Sequence, residues 1–419
     1  MKRRRMKKSP EELYQERAKR IADVLQMKVP DRIPIEIAFG YFPAKYCGIT
    51  CEAAYYDYDA WLAACKKTLL DYGVDISSVQ NFMPGKVLEI IDPKSLAWPG
   101  HGTSPYHSHQ IIEQEWMKQN EYDLFFNDPT DFNLRYYLPR VTGVMEPFKL
   151  LPALASPSGG YYGVMALASA LSTPEIASAI SKLQEAGRLL REWQPKINEF
   201  TEEIRKLGFP PFVGGMALAP FDAISDNLRG MKGSMLDLYR QPDKVLEAVQ
   251  IILKRMIERI PPAVPGGVNT IMIPTHRGSE GFMSLKQFEK FYWPTLRDLI
   301  KAIIEKGHTP LVFFEGDYTS RLEYLLEVPK GKIFAHMDST DVFKAAAVLK
   351  GHMVISGNVP CSLLQAGTPD DVREYCKKMI DVCAKDGGFI MSTRSPVDDA
   401  RPDTLKAMID FTVEYGRYQ

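Results

Sequence analysis

The chain has 419 residues, 45% of them hydrophobic, and its 52 basic and 52 acidic residues give a formal net charge of zero. This length and apolar content suit one large domain with a substantial core. The balanced charge argues against nucleic-acid binding, and the lack of a run of about 18 apolar residues argues against a membrane span. Six cysteines without a CxxC pair favour a reducing, cytoplasmic location.

The N-terminal part predicts an extension followed by the first strands of a sheet. Residues 1–8 are basic and have no apolar stretch behind them, which indicates a basic tail rather than a secretory signal. Ser9-Pro10 predicts a helix start, because proline fits the first helical turn, so residues 1–30 are interpreted as tail and helix. The elements predicted here are a helix over 9–28, a strand over 31–39, a helix over 51–72 and a strand near 75–79.

The middle of the chain has less regular patterns. Residues 82–170 are aromatic and proline-rich, and we expect an irregular capping segment that holds two more strands. A helical pattern with little interruption follows from about Thr173 to Lys206. Residues 212–218 then predict a strand, whose glycines indicate a close approach of backbones.

Five apolar runs in the last third alternate with amphipathic helical stretches. This alternation predicts a parallel sheet, and so many units predict an α/β fold of the closed (β/α)8 TIM barrel type over residues 31–419. An open doubly wound sheet is the alternative, disfavoured because no glycine-rich nucleotide motif occurs at a strand–helix junction. The runs begin at Asn269, Pro310, Lys332, Met353 and Gly388, and helices are expected near 235–260, 284–306, 341–350, 369–385 and 401–415.

Polar or ionisable residues end each of these runs. In a (β/α)8 barrel the carboxyl ends of the strands form the active-site face, so we expect these side chains to converge at one mouth. They are His276, Glu315, Asp317, His336, Asn358 and Arg394.

Glu315 and His336 end consecutive predicted strands, with twenty residues between them. Carboxylate and imidazole ligands suit zinc, and three protein ligands with one open position are typical of a catalytic zinc site. Glu280 or Asp317 is the candidate third ligand, and Asp317 is otherwise a catalytic group beside the metal. In the alternative, Glu315 is a catalytic or salt-bridged carboxylate and His336 is a hydrogen-bonded wall residue.

Other residues are candidates for acid–base chemistry and substrate binding. His276 is a candidate acid, base or hydrogen-bond donor to the substrate. Arg394 either holds an anionic group or pairs with Asp398 or Asp399. The further candidates for a substrate pocket are Tyr41, Met216, Tyr161 and Asn358. The histidines of one turn-rich loop, which is either a metal site or a lid, are His101, His107 and His109.

Four short motifs together suggest a family. They are Val29-Pro-Asp-Arg-Ile-Pro before the first strand, Ser356-Gly-Asn-Val-Pro, Gly367-Thr-Pro-Asp-Asp-Val, and Asp386-Gly-Gly-Phe-Ile-Met. As a set they resemble the uroporphyrinogen decarboxylase superfamily, most clearly from about residue 210 to 416. This resemblance implies a (β/α)8 barrel and includes two chemistries, porphyrinogen decarboxylation and zinc-dependent methyl transfer with cobalamin.

This sequence differs from the motifs of two branches of the family, and those differences bear on which branch it resembles. The decarboxylases bind substrate carboxylates with an arginine-rich segment after the first strand, whereas residues 39–46 here hold one lysine and no arginine. The coenzyme M methyltransferases bind zinc through a His-x-Cys pair and a later Cys, whereas Glu315-Gly-Asp317 and Ser392 stand near those positions here. Oxygen and imidazole ligands make zinc a harder Lewis acid, which suits an ether oxygen.

The chain therefore resembles the first methyltransferase of corrinoid-dependent O-demethylase systems, which cleave phenyl methyl ethers. A Glu-x14-Glu-x20-His zinc pattern is associated with those enzymes; Glu315 and His336 match its second half, and Ile300 stands at its first position. The resemblance implies zinc, with Glu280 as a candidate third ligand, and cobalamin on a partner corrinoid protein that docks at the mouth. A decarboxylase of the uroporphyrinogen type is the alternative. The oligomeric state is left open, with a homodimer as one option.

Overall fold

Eight parallel strands form a curled sheet at the centre of the computed structural model, which describes residues 8–153 and 160–418. We number these strands β1 to β8 in chain order. They are β1 Ile35–Gly40, β2 Ile76–Val79, β3 Gly215–Met216, β4 Thr270–Thr275, β5 Thr309–Phe314, β6 Phe334–Met337, β7 Val354–Val359 and β8 Phe389–Thr393. Most of the predicted basic tail lies outside the described residues.

The strand order is that of a (β/α)8 barrel in which β2 and β3, as described, are not joined by hydrogen bonds; we call the gap between these two strands the seam. Neighbouring strands follow the chain from β3 to β8, then β1 pairs with β8, and β2 pairs with β1. No hydrogen-bonded pairing joins β2 to β3 in the described part of the chain. The predicted strand number and parallel sheet are confirmed, but the predicted hydrogen-bonded closure is not found. Strand β3 is short, and Pro210 and Pro211 just before it have no N–H to donate.

Helices cover the outside of the sheet, and most begin where proline and capping residues predict. Ser9 and Thr368 both form capping boxes, in which the side chain accepts a backbone N–H of the first turn. The longer helices are Pro10–Leu25, Tyr58–Tyr72, Tyr161–Leu171, Pro174–Lys206, Gly230–Arg240, Pro242–Arg259, Trp293–Glu305, Val342–Leu349, Pro369–Cys383 and Pro402–Tyr415. The shorter helical segments include Phe42–Cys47, Ala53–Tyr56, Gly85–Ile91, Tyr122–Asn127, Pro220–Ile224, Ser225–Arg229, Phe288–Tyr292, Thr319–Glu327 and Cys361–Ala366.

Two predicted helices are each divided in the structure. The helix expected over 51–72 is interrupted at Asp57, whose side chain accepts the N–H of Ala60 and starts a new helix. The helix expected over 235–260 is interrupted before Pro242, because proline cannot donate the hydrogen bond that a continuous helix requires. These interruptions leave the positions of the strands unchanged.

Residues 82–170 are predicted to hold two further strands, but the strands found there do not belong to the eight-stranded sheet. The strands of this segment are three short ones, Leu96–Pro99, Gly102–Thr103 and Gln110–Ile111, which form a small separate sheet. The remainder is mostly short helices. Residues 154–159 of this segment lie outside the described part.

The N-terminal helix packs against the sheet at the amino ends of the strands. Ile21 and Val24 of this helix belong to one apolar cluster with residues from the barrel interior. The interior members include Ile76, Leu311, Phe334, Val354 and Ile390. That end of the barrel is therefore filled by side chains, and the opposite end is left for a site. Among the described helices, none alone is long and apolar enough to cross a membrane, although the bent pair Tyr161–Leu171 and Pro174–Lys206 passes that test together.

Candidate active site

The carboxyl ends of β4 and β5 bring two of the predicted site residues together. His276 directly follows β4, and Glu315 directly follows β5. The Nε2 atom of His276 lies 3.8 Å from Oε1 of Glu315, and the exposed fractions of the two side chains are 29% and 42%. A molecule that enters the mouth can therefore reach both groups, and this pair is the centre of the candidate site.

Two aspartates that follow β3 hold His276 in position. Asp226 pairs with Nδ1 of His276 at 2.5 Å, which leaves Nε2 facing the mouth. Asp222 is fully buried and accepts the backbone N–H groups of His276 at 2.7 Å and of Arg277 at 2.9 Å. The Tyr292 hydroxyl donates to the same carboxylate at 2.6 Å. The imidazole ring is therefore fixed through both its backbone and its side chain.

Asp222 and Asp226 are not among the residues that the sequence patterns indicated. They lie in the helical segments Pro220–Ile224 and Ser225–Arg229, which follow β3. The rule that polar residues after a barrel strand line the mouth would have found them. The strand at 212–218 has a weaker apolar pattern than the strands of the last third, so the residues after it are harder to recognise as part of the mouth.

The charges around His276 favour its protonated form. Burial alone lowers the pKa of His276, but the hydrogen bond and charge of Asp226, with smaller contributions from Asp222 and Glu315, raise that pKa to about 9. Burial raises the pKa of Asp222 to about 6. Partial burial also raises the pKa of Glu315, although the positive charge of His276 opposes that rise. At neutral pH His276 is an imidazolium with an Nε2–H to donate.

Asp226→Asn is expected to lower the pKa of His276, because it removes a negative charge but keeps the size of the side chain. Wild-type His276, with a pKa raised to about 9, keeps its proton up to that pH and loses it above. In the variant, the proton is expected to be lost nearer the ordinary histidine pKa of about 6.5. An NMR titration of the His276 ring protons measures this, with Asp243→Asn on the surface as control. An unchanged midpoint in Asp226→Asn would contradict the assigned pairing.

His336 lies one layer deeper in the barrel than Glu315. In the register of β5 and β6, His336 is level with Phe313 rather than with Glu315. Its Nδ1 lies 3.1 Å from Oε2 of Glu36, and its Nε2 lies 3.0 Å from the carbonyl oxygen of Thr393. Burial lowers the pKa of His336, but the Glu36 carboxylate outweighs this effect and raises it. Both ring nitrogens of His336 are therefore used within the protein.

The candidates for a third metal ligand are also engaged. Oε1 of Glu280 accepts the N–H of Ser320 at 2.6 Å and lies 3.7 Å from Arg321. Oδ1 of Asp317 accepts the N–H of Thr319 at 2.8 Å. Within the described part of the chain, no group of three or more His, Cys, Asp or Glu side chains is spaced to hold a metal ion. As arranged here, the predicted ligands do not fit one zinc ion, and zinc stays a prediction from the resemblance.

A cavity of about 620 Å³ lies next to the mouth, and Arg394 lines it. The alternative partners of Arg394 are bonded elsewhere: Asp398 accepts the N–H of Tyr41 at 2.8 Å, and Asp399 pairs with Lys45 at 3.1 Å. The Nε atom of Arg394 is buried and has no hydrogen-bond partner among the described residues. This placement favours the interpretation that Arg394 binds a ligand over the interpretation that it forms an internal ion pair.

Asn358 is almost completely buried, and the protein uses both of its amide hydrogens. Its Nδ2 donates to the carbonyl oxygens of Asp338 at 2.8 Å and Thr340 at 2.7 Å. Its Oδ1 lies 3.4 Å from the hydroxyl of Tyr375. Asn358 lines the same cavity as Arg394, but in this arrangement it fixes the loop after β6.

The aromatic and methionine candidates are spread over different surfaces. Tyr41 is buried, and its hydroxyl lies 2.9 Å from both the hydroxyl of Tyr55 and Nδ1 of His109. Met216 at the end of β3 and Tyr161 on its helix are exposed, at 69% and 67%. The described structure does not bring these three candidates into one pocket.

The histidine loop does not gather its three rings. The His101 ring stacks on Trp98 at 4.8 Å between centroids and lies 3.3 Å from Glu89. His109 instead pairs with Tyr41. The side chain of His107 makes no hydrogen bond or ion pair with the described residues. The loop therefore presents no metal site as it stands.

Comparisons with known proteins agree on the fold. The family model described as Uroporphyrinogen decarboxylase (URO-D) matches residues 172–415. A solved structure described as a methyltransferase from Methanosarcina mazei is similar over 94% of this chain and 98% of that chain, with a TM-score of 0.56 and 14% sequence identity. At that identity the similarity concerns the fold alone. No curated protein matches the sequence.

Proposed function

The chain belongs to the uroporphyrinogen decarboxylase family, and from that premise we propose that it is a methyltransferase. The proposed reaction moves a methyl group from a small aromatic methyl ether to the cobalt(I) of a corrinoid protein. The observation that carries the proposal is the imidazolium of His276, which Asp226 holds at the mouth with its Nε2 free. Cleavage of an ether needs such a donor, because negative charge develops on the leaving oxygen.

The protein's own residues supply the proton transfer. Nε2–H of His276 donates to the ether oxygen and passes its proton to it as the bond between methyl carbon and oxygen breaks. The electron pair of that bond stays on oxygen and forms the new O–H bond, so a phenol leaves. Glu315, 3.8 Å from Nε2, is placed to stabilise the imidazolium before this step. A corrinoid carried by a partner protein, for which the mouth is the proposed docking face, would supply the electron pair for the new bond to carbon.

The structure that shares this fold is described as a methyltransferase, so the proposal assigns the chain a reaction that this fold is able to support. Residues 39–46 lack the arginines with which a decarboxylase would hold a porphyrinogen, and this disfavours the alternative. A turnover screen with a reduced corrinoid protein tests the proposal. We expect aromatic methyl ethers to be demethylated faster than methylamines, thioethers or glycine betaine. Decarboxylation of a porphyrinogen by the chain alone would contradict it.

Zinc and cobalamin remain predictions of the family resemblance. No step above uses zinc, because Glu315, His336 and Glu280 do not form one ligand set as described. Metal analysis of the purified chain tests the zinc prediction. The family resemblance predicts about one zinc per chain, lost in Glu315→Ala and kept in the surface variant Glu323→Ala. An active chain without zinc would contradict the prediction without affecting the role of His276.

A further inference from the structure

A second cavity, of about 460 Å³, lies inside the sheet. Phe313 and His336 line it, and they stand two positions before Glu315 and Asp338 on β5 and β6. Two residues of strand span about 7 Å, so the cavity lies directly beneath the mouth. It extends to the seam between β2 and β3, where the long helix Pro174–Lys206 covers it.

Most of the cavity wall is apolar and much of it is aromatic. The phenylalanine and methionine residues of the wall are Phe200, Phe209, Phe212, Phe313 and Met272. Aromatic walls pack well against a flat ring, and methionine adapts to the remaining space. A volume of several hundred Å³ is typical of small-molecule sites. The wall therefore fits a small aromatic molecule.

Glu36 and His336 form a polar part of the cavity wall, and Glu36 has an acceptor that no described residue uses. Oε2 of Glu36 accepts hydrogen bonds from Nδ1 of His336 at 3.1 Å and from the hydroxyl of Ser356 at 2.9 Å. Oε1 of Glu36 takes part in none of the hydrogen bonds of the described residues, and 14% of this side chain is exposed. Because Oε2 is taken up by His336 and Ser356, Oε1 of Glu36 is the acceptor that a ligand with a hydrogen-bond donor can meet.

We infer that this cavity binds a small, neutral aromatic molecule with a hydroxyl group, whose O–H donates to Oε1 of Glu36. For the proposed methyl donor, this means a ring that carries a free hydroxyl as well as its methyl ether; that step rests on the proposed function. The ring would lie between the aromatic walls, with its other substituent directed up to His276 and Glu315.

Isothermal titration calorimetry without any corrinoid tests this inference with two probes, 4-methoxyphenol, whose hydroxyl and methyl ether lie at opposite ends of the ring, and methoxybenzene, which lacks the hydroxyl. A charge-assisted hydrogen bond is stronger than a neutral one, so Glu36→Gln is expected to weaken 4-methoxyphenol binding roughly tenfold. Methoxybenzene binding should change less than about twofold. Met272→Trp fills the cavity and should weaken both probes. The matched controls Glu323→Gln and Met231→Trp lie on the surface and should change neither.

Three results would overturn the inference: no binding of 4-methoxyphenol to the wild type, equal sensitivity of both probes to Glu36→Gln, or unchanged binding in a folded Met272→Trp. If Met272→Trp does not fold, the comparison of the two probes in Glu36→Gln still decides. Binding with the expected pattern but no methyl transfer would uphold the cavity and contradict the proposed function. Methyl transfer that neither Glu36→Gln nor Met272→Trp affects would uphold the proposed function and contradict the inference about the cavity.

Discussion

His276→Ala is expected to lower the rate of methyl transfer by about 10²- to 10⁴-fold, the usual contribution of a positioned general acid. The variant removes the imidazolium that Asp226 holds and Glu315 faces. Because the His276 side chain is partly open at the mouth, its loss should leave the fold intact. Initial rates with a saturating corrinoid acceptor measure the effect, and circular dichroism checks the fold.

A matched control separates this role from a general effect of removing a histidine. His308 binds the carbonyl oxygen of Pro261 away from the mouth, and His308→Ala should leave the rate within about twofold of wild type, since it contacts no group of the site. A folded His276→Ala with the wild-type rate would show that His276 is not the proton donor.

Asp75→Ala is expected to lower the free energy of unfolding by about 3–5 kcal/mol, because it leaves Arg32 without its carboxylate partner and Arg20 with Asp31 alone. Asp75 is 1% exposed. Its carboxylate accepts from Arg20 at 2.6 Å, from Arg32 at 2.7 Å and from the backbone N–H of Ile35 at 2.9 Å. These bonds tie the N-terminal helix to the starts of β1 and β2, so the barrel end opposite the mouth depends on them.

Urea unfolding followed by circular dichroism measures this change. Asp370→Ala is the control, since Asp370 pairs with Arg373 on the surface and its side chain is 92% exposed. Exposed pairs of this kind contribute about 0–1 kcal/mol. A loss of less than about 1 kcal/mol in Asp75→Ala would contradict the role given to the buried network.

The sheet could be predicted from sequence because its strands are apolar runs with polar ends. Runs such as those starting at Pro310 and Met353 match β5 and β7 closely, since buried parallel strands are apolar on both faces. Residues 82–170 show no such pattern, because their strands are too short to show a period. The break at Asp57 is not visible in the pattern, because capping by one side chain overrides an otherwise helical pattern.

The site was predictable only in part, because proximity in a barrel depends on register as well as on strand ends. The neighbouring pair His276 and Glu315 follows from the ends of β4 and β5. The described structure places His336 level with Phe313 rather than with Glu315. The partner of His336 is Glu36, on a strand 300 residues earlier in the chain. No local sequence pattern reveals a contact of that kind.

The central claim is that the chain transfers a methyl group from an aromatic ether to a corrinoid. The most direct test uses 4-methoxyphenol labelled with ¹³C in its methyl group, the purified chain and a protein-bound cobalt(I) corrinoid. We expect the label to appear on cobalt, with one 1,4-dihydroxybenzene formed per labelled methyl, at a rate that His276→Ala lowers strongly. Label that stays on the ether with a fully reduced corrinoid, while the chain releases carbon dioxide from a porphyrinogen, would contradict the account.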